Sequence, residues 1–347
     1  MLPIRVGVFL LGVLVAGATA SSAVQTFVVP RALPVRLSRL VFRSLRWVFS
    51  RSATSSRRGY AALDRRMAFY APTSLLMLPA VWLALVLAAF AGMYWAVDGG
   101  SVWAAVETSG SSLLTLGFRH PGSRVTTLLS FAEAGSGIAL LALLITYLPT
   151  IYGAFTRREV LVSQLEVRAG SPPWAVTMLQ RYQLIGLLER SDELFERAEE
   201  WFADIEESHT SLGSLAFFRS PQPHRSWVTA AGTILDGAAL SMAVVDVEGA
   251  DNPHAALCIR SGYLALRRIS DFFGLPYDPD PAPDDPISIT REEFDSALSL
   301  LESVGTPLKA DRDQAWRDFA GWRVNYDTVL LQLAALCLAP PAPWTTP

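Results

Sequence analysis

Residues 95–125 read WAVDGGSVWAAVETSGSSLLTLGFRHPGSRV. They separate two long apolar runs, Met67–Val97, which carries no charge, and Val125–Thr156, whose one ionisable group is Glu133. The residues between the runs are too few for a domain and too apolar for a plain loop, so the segment is expected to re-enter the membrane. Ser101 can cap a helix from Val102 to about Leu114, because its hydroxyl can accept a backbone N–H that a helix start leaves unpaired. Next come Thr115-Leu116-Gly117-Phe118 and the polar turn Arg119-His120-Pro121-Gly122. Irregular backbone at membrane depth persists only where protein or water surrounds it.

Both runs exceed the ~20 apolar residues that span a ~30 Å hydrocarbon core at ~1.5 Å per residue. A third run, Val6–Pro30, carries no charge over 25 residues. The chain is 51% hydrophobic and 18% charged, with a mean hydropathy of +0.30, which suits a bilayer better than water. Its net charge of −3 hides an asymmetry: 13 basic and 4 acidic residues stand up to Tyr152, against 16 and 28 after it. Of the 29 basic residues 28 are arginine, read as a compositional habit and not as a nucleic-acid footprint. Two cysteines, Cys258 and Cys337, make neither a disulfide framework nor a metal knuckle.

The first run also suits a secretory signal cleaved after Ala18-Thr19-Ala20. Charge decides against cleavage. Arg31–Arg66 holds ten arginines and one acid, Asp64, and basic residues near span ends stay in the cytoplasm. An uncleaved first span puts the N-terminus outside and everything after about Thr156 in the cytoplasm, as a multi-pass protein of the cell (inner) membrane. In the basic linker Arg36, Arg39, Arg43 and Arg46 recur at steps of three and four, with Leu37, Leu40, Val41, Leu45, Val48 and Phe49 on other faces. That pattern predicts a helix lying on the inner leaflet, its arginines toward anionic headgroups and its apolar residues toward acyl chains. A voltage sensor would need those arginines inside a span, with acidic partners on other spans.

The order of span, short helix, Thr-aliphatic-Gly-aromatic tetrapeptide and span resembles the two-span pore module of the potassium-channel superfamily. The resemblance covers Met67–Tyr152, about a quarter of the chain. Trp103-Ala104-Ala105-Val106-Glu107-Thr108 looks like the pore helix, and Thr115-Leu116-Gly117-Phe118 like the filter's Thr-Val-Gly-Tyr. It implies a homotetramer in which the Thr115 hydroxyl and the carbonyls of Leu116 and Phe118, with Gly117 between them, replace the hydration shell of a permeant monovalent cation, potassium first. Where such filters continue Gly-Asp this chain has Arg119 and His120. At the outer mouth these would bring four arginines near the ion path with no acidic ring to offset them. Leu114 stands where a hydroxyl residue commonly precedes the filter threonine. Selectivity is left open.

Glu133 is the one ionisable residue well inside a span, and such residues are functional by default because a bare charge in hydrocarbon is costly. Two roles suit it, a brace to the pore helix through Ser109, Ser111 or Ser112, or an ion site. Gly135 and Gly137 are hinge candidates, or small residues that let helices pack closely. Pro149 is expected to kink or weaken the third span near an inner gate.

The expected fold is an all-α membrane protein with three transmembrane helices and a re-entrant pore helix and loop, then an all-α cytoplasmic domain. The divisions are 1–30 (first span), 31–66 (basic linker), 67–152 (pore module) and 153–347 (helical domain). In the last, Trp227–Val247 is expected as a buried core helix because of Asp236, Thr290-Arg291-Glu292-Glu293 as a capping box, and Asp311–Leu338 as one long helix. His209 and His224 are expected to flank a loop and to be solvated. His254 and Cys258 share a helix face but lack partners for a metal. The acidic run Glu189–Glu207 reads as a solvated helix face. No Walker loop, GxGxxG or GxSxG motif occurs, so no catalytic residue, enzyme activity or cofactor is expected. Two functions fit: an ion channel assembled or gated by its cytoplasmic domain, or a non-conducting scaffold or sensor built on the same module.

Overall fold

The computed structural model describes residues 2–27, 36–54, 59–247 and 252–346, so parts of the linker and the end of the first run lie outside the described residues. Its elements are α1 (Leu2–Phe27), α2 (Arg36–Thr54), α3 (Gly59–Met67), α4 (Tyr70–Asp98), α5 (Val102–Leu113), α6 (Arg124–Ala169), α7 (Ala175–Leu184), α8 (Asp192–Ser211), α9 (Trp227–Val244), α10 (Pro253–Phe273), α11 (Arg291–Glu302), α12 (Arg312–Arg323) and α13 (Asp327–Cys337). The described residues form helices and no strand; Val245 and Leu308 make one isolated bridge. Four helical stretches are long and apolar enough to cross a membrane: α1, Tyr60–Asp98 containing α4, α6 and α9. The apolar windows of the first three are 11%, 44% and 17% buried within the protein and that of α9 is 94% buried, so α9 is a core helix.

The chain divides into two compact units. Unit one comprises Met1–Ser55 and Phe69–Tyr152; unit two comprises Ser56–Ala68 and Gly153–Pro347.

In unit one α1 packs along α4 on small residues. A Cβ on Gly12 would come within 2.7 Å of the Ala89 carbonyl oxygen, and Thr19, Ser22 and Ala23 are buried on the same helix. Close backbone approach of this kind is how helices associate without a hydrophobic drive between them. The Trp82 indole donates to Ser22 Oγ (3.2 Å) and meets Phe27 edge-on. Helix α2 turns Leu37, Val41 and Phe42 into the unit-one core, and Phe42 and Phe49 meet the Tyr70 ring edge-on. Part of its apolar set is thereby used on protein. Leu40, Trp47 and Val48 stay exposed beside Arg39 and Arg43, while Arg46 is half-buried and the Arg36 side chain lies outside the described residues. Helix α6 runs unbroken through the exposed Pro149. Proline deletes one backbone hydrogen bond and the bonds on either side hold a helix of this length together.

In unit two α9 is the axis. Its side chains are almost all buried, and α7, α8, α10, α12 and α13 pack around it. Asp236, in the middle of α9, pairs with Arg323, which also donates to Asp327 (2.8 Å) and to the Trp344 carbonyl (2.5 Å); Tyr326 donates to Asp236 (2.9 Å). The expected long final helix is two helices, α12 and α13, separated by a turn at Val324–Tyr326. Arg323, Tyr326 and Asp327, at i, i+3 and i+4, stay on one side of the chain through that turn, where Arg323 and Tyr326 meet Asp236.

Two arginines tie further segments into unit two. Arg219 donates to Asp64 Oδ1 and Tyr60 Oη of α3, both at 2.7 Å, and to the Cys337 and Leu338 carbonyls (3.0 and 2.9 Å). Arg158, fully buried on the C-terminal part of α6, donates to the Leu215 and Phe218 carbonyls (2.9 and 2.8 Å) and pairs with Glu159. Its Nη1 also lies 3.4 Å from His209 Nε2. His209 is therefore not solvated; it sits fully buried in the last turn of α8, beside the loop that follows, with its ring against Trp227. His224 is exposed, as expected.

A guanidinium has no acceptor, so it holds His209 in the form with Nε2 unprotonated. Burial and then the Arg158 charge keep the imidazole well below its ordinary pKa of 6.5. Below that pH the unfolded chain takes up a proton that the folded chain refuses, so stability falls with pH, by at most about 1.4 kcal/mol per unit. Burial raises Asp64 and Asp236, which pulls the other way at lower pH. Chemical unfolding of the wild type and H209Q at pH 7.5, 6.5 and 5.5 should show a steeper acid loss in the wild type; equal slopes would remove the effect.

Candidate functional site

Helix α5 is started by the sequence signal expected for it. The Ser101 hydroxyl accepts the Ala104 N–H (3.1 Å), and the helix runs from Val102 to Leu113. Thr108, Ser109, Ser111 and Ser112 are all buried, so the polar face of α5 needs partners inside unit one. They come from α4 and α6. Glu133, with no exposed surface, receives Ser109 Oγ on one carboxyl oxygen (2.5 Å) and the Tyr94 hydroxyl on the other (2.9 Å). Ser112 shares a hydrogen bond with Ser130 (2.8 Å) and lies 3.4 Å from the Tyr94 hydroxyl.

Hydrogens can be counted at this junction. Ser109 Oγ also lies 2.9 Å from the Leu87 carbonyl oxygen, so its one hydrogen faces two acceptors. The hydroxyl shares that hydrogen between the Leu87 carbonyl and the Glu133 carboxyl, and a donor in place of Oε1 would free it for Leu87 alone. A glutamine supplies that donor, its amide donating to Ser109 and its carbonyl accepting from Tyr94. E133Q should therefore melt close to the wild type. E133A leaves buried hydroxyls unpaired and should lose about 1–3 kcal/mol. Thermal melts in detergent check this, and E133A melting like the wild type would discard the brace.

The end of α5 is held against α6 at Gly137. A Cβ there would stand 2.2 Å from the Leu113 carbonyl oxygen, whereas a Cβ on Gly135 would meet nothing within 4 Å. Gly137 is a packing position; Gly135 has open space around it.

Beyond α5 every residue from Leu114 to His120 is exposed. The amides turn inward: Thr115 N donates to the Ser112 carbonyl (3.0 Å), Leu116 N and Gly117 N to that of Ser111 (2.8 and 3.4 Å), and Arg119 N to Ser111 Oγ (3.1 Å). Among the described residues nothing donates to the carbonyls of Thr115 through Phe118. Thr115 and Gly117 have φ of 55° and 72°, left-handed values that glycine adopts readily and a β-branched residue resists. Strain of that kind concentrates where the surrounding structure enforces a functional backbone. Arg119 pairs with Glu107 of α5 (3.2 Å), so the charge expected to stand unopposed at the outer mouth has an acid from the same chain beside it. His120 is exposed.

No protein-family profile, curated protein or solved structure matches this chain.

The fold thus gathers Glu133, Ser109 and Ser112 around the base of the 115–118 segment. It leaves Gly135, Pro149, Arg39 and Arg43 as exposed positions elsewhere. Tyr94 and Glu107 belong to the site and were not expected there. Tyr94 lies in an apolar run with no polar periodicity, and Glu107 reads as an ordinary pore-helix residue until its partner is known. No group of three or more metal-ligating side chains occurs among the described residues. His254 Nδ1 is buried without a partner, and Cys258 is fully buried, which pushes its thiol pKa up.

Proposed function

We propose that the chain is the subunit of a homotetrameric pore-loop ion channel with three spans, α1, α4 and the first part of α6, and with α5 and residues 114–118 re-entering between the last two. The observation that carries this reading is the backbone of Thr115–Phe118: the Thr115, Leu116 and Gly117 amides donate into unit one, the residues are exposed, and among the described residues their carbonyls have no donor. Such a row of acceptors is untenable against lipid. Four copies around an axis would face the carbonyls toward a water-filled path where a monovalent cation, potassium first, can exchange its hydration shell for them. Within this reading Glu133 is a brace behind the filter, and the Glu107–Arg119 pair removes the electrostatic objection to a cation at the outer mouth. α1 is a retained outside-to-inside anchor. The exposed face of α2 lies on the anionic inner leaflet, and unit two is cytoplasmic.

The test is flux of potassium, sodium and chloride through the purified full chain in liposomes, with the oligomeric state measured in parallel. Cation flux by tetramers that is lost in a G117V variant, with assembly intact, is the expected result. Tetramers passing none of the three ions would sink the channel reading and favour a non-conducting scaffold, for which Arg119 and His120 in place of Gly-Asp are the supporting residues.

A further inference from the structure

At the start of α9 the chain forms a small cavity open to solvent on one side, walled by Arg219, Ser220, Arg225, Ser226 and Cys337, with apolar residues filling the gaps. Eight buried side-chain polar atoms among the described residues have no hydrogen-bond partner, and two of them, Ser220 Oγ and Arg225 Nε, belong to this one wall. Ser220 is only 8% exposed. Buried donors left unpaired are unfavourable and rare, and two at one cavity mark the place of an acceptor from outside the chain.

The chemistry of that acceptor follows from the wall. Arg225 Nε can only donate, and the serine hydroxyl can donate. No carboxylate lines the cavity: the acids that pair with the two arginines, Asp64 with Arg219 and Glu166 with Arg225, lie outside its wall. Ser226 caps α9, its hydroxyl accepting the Val228 N–H (3.2 Å), so the positive end of an 18-residue helix dipole points the same way. Guanidinium, hydroxyl and helix N-terminus together suit an anion that accepts several hydrogen bonds at once.

We propose that this cavity binds a phosphate group, either free or as the headgroup phosphate of an anionic lipid. The site adjoins Arg219, which holds α3 to the C-terminal residues, so occupancy would report on the segment that immediately precedes α4. It does not depend on whether residues 115–118 conduct.

The experiment follows thermal unfolding of the full chain, first in an uncharged detergent with inorganic phosphate or with chloride at matched ionic strength. A second arm uses nanodiscs of phosphatidylcholine with and without phosphatidylglycerol. Free phosphate should raise the midpoint saturably, by about 3–5 °C at ten times the dissociation constant. The shift should be lost in S220A and in R225Q, each measured against its own baseline because Arg225 also pairs with Glu166. A shift with phosphatidylglycerol alone that S220A abolishes would also support the site and assign its phosphate to lipid. Equal shifts in chloride, shifts unchanged in both variants, or no shift in either arm would overturn the proposal.

Discussion

Alanine at Gly137 is expected to cost more than any other single methyl group in unit one. Its Cβ would stand 2.2 Å from the Leu113 carbonyl oxygen and 3.1 Å from a Leu113 methyl group, well inside any tolerable contact. A backbone oxygen at the end of α5 cannot turn aside as a flexible side chain can, so α6 and α5 must separate. Overpacking a close contact costs roughly 1–3 kcal/mol when neighbours can shift, and more when they cannot. The separation falls where Ser112 meets Ser130 and Tyr94 meets Glu133, and it moves the anchor from which the 115–118 carbonyls are displayed. G137A should therefore lower the melting midpoint sharply and, under the proposed function, abolish cation flux; G137L should prevent tetramer recovery. G135A is the matched control because its Cβ meets nothing, and it should keep both stability and flux. Similar behaviour of G135A and G137A would show that the approach at Leu113 does not constrain the helix pair.

Replacing Arg323 by leucine is expected to unfold unit two under mild conditions. The arginine has no exposed surface and is the cation for Asp236 and Asp327, which are themselves 1% and 6% exposed. Removing one partner of a buried ionic group costs about 3–5 kcal/mol, a large share of the ~5–15 kcal/mol that holds a typical domain together. Burial raises Asp236, and Arg323 and then Tyr326 offset it; without the arginine its carboxyl is driven toward the protonated form. The double variant R323L/D236L should regain part of the loss, because the most buried orphan charge is gone. Unfolding by denaturant, followed through tryptophan fluorescence, gives both values. A single variant within 0.5 kcal/mol of the wild type would mean that the cluster contributes specificity and little stability.

Local signals were readable where one residue acts on its own helix. Ser101 starts α5, and Thr290 with Glu293 closes a full capping box on α11. Asp236 in an otherwise apolar run marked α9 as a core helix, though not the cation that it pairs with. What escaped was set by partners far along the chain. A periodic pattern from Asp311 to Leu338 reads as one helix, and neither a proline nor a break in that pattern marks the turn at Val324–Tyr326. His209 reads as a polar residue at a helix end until Arg158, 51 positions earlier, is seen to need a neutral acceptor. Arg119 likewise looks unopposed because Glu107 sits twelve residues away, across a backbone reversal that no spacing rule encodes. Asp64 offered a clue: it is the one acid among ten arginines, and it is the residue that Arg219 grips.

That grip has a consequence for biosynthesis. Helix α3 leaves the ribosome before α4, yet the groups that close around it, Arg219 and the carbonyls of Cys337 and Leu338, are made only after α4, α5 and α6. Unit two is discontinuous in the chain, and residues 69–152 are translated between its two parts. The nascent protein must therefore keep α3 waiting while the apolar runs after it are made, and the docking contacts form only once Arg219, Cys337 and Leu338 have followed. A chain truncated before Cys337 would carry α3 and Arg219 without the two carbonyls that complete the joint, so this link between the first and second parts of unit two depends on residues made long after α3.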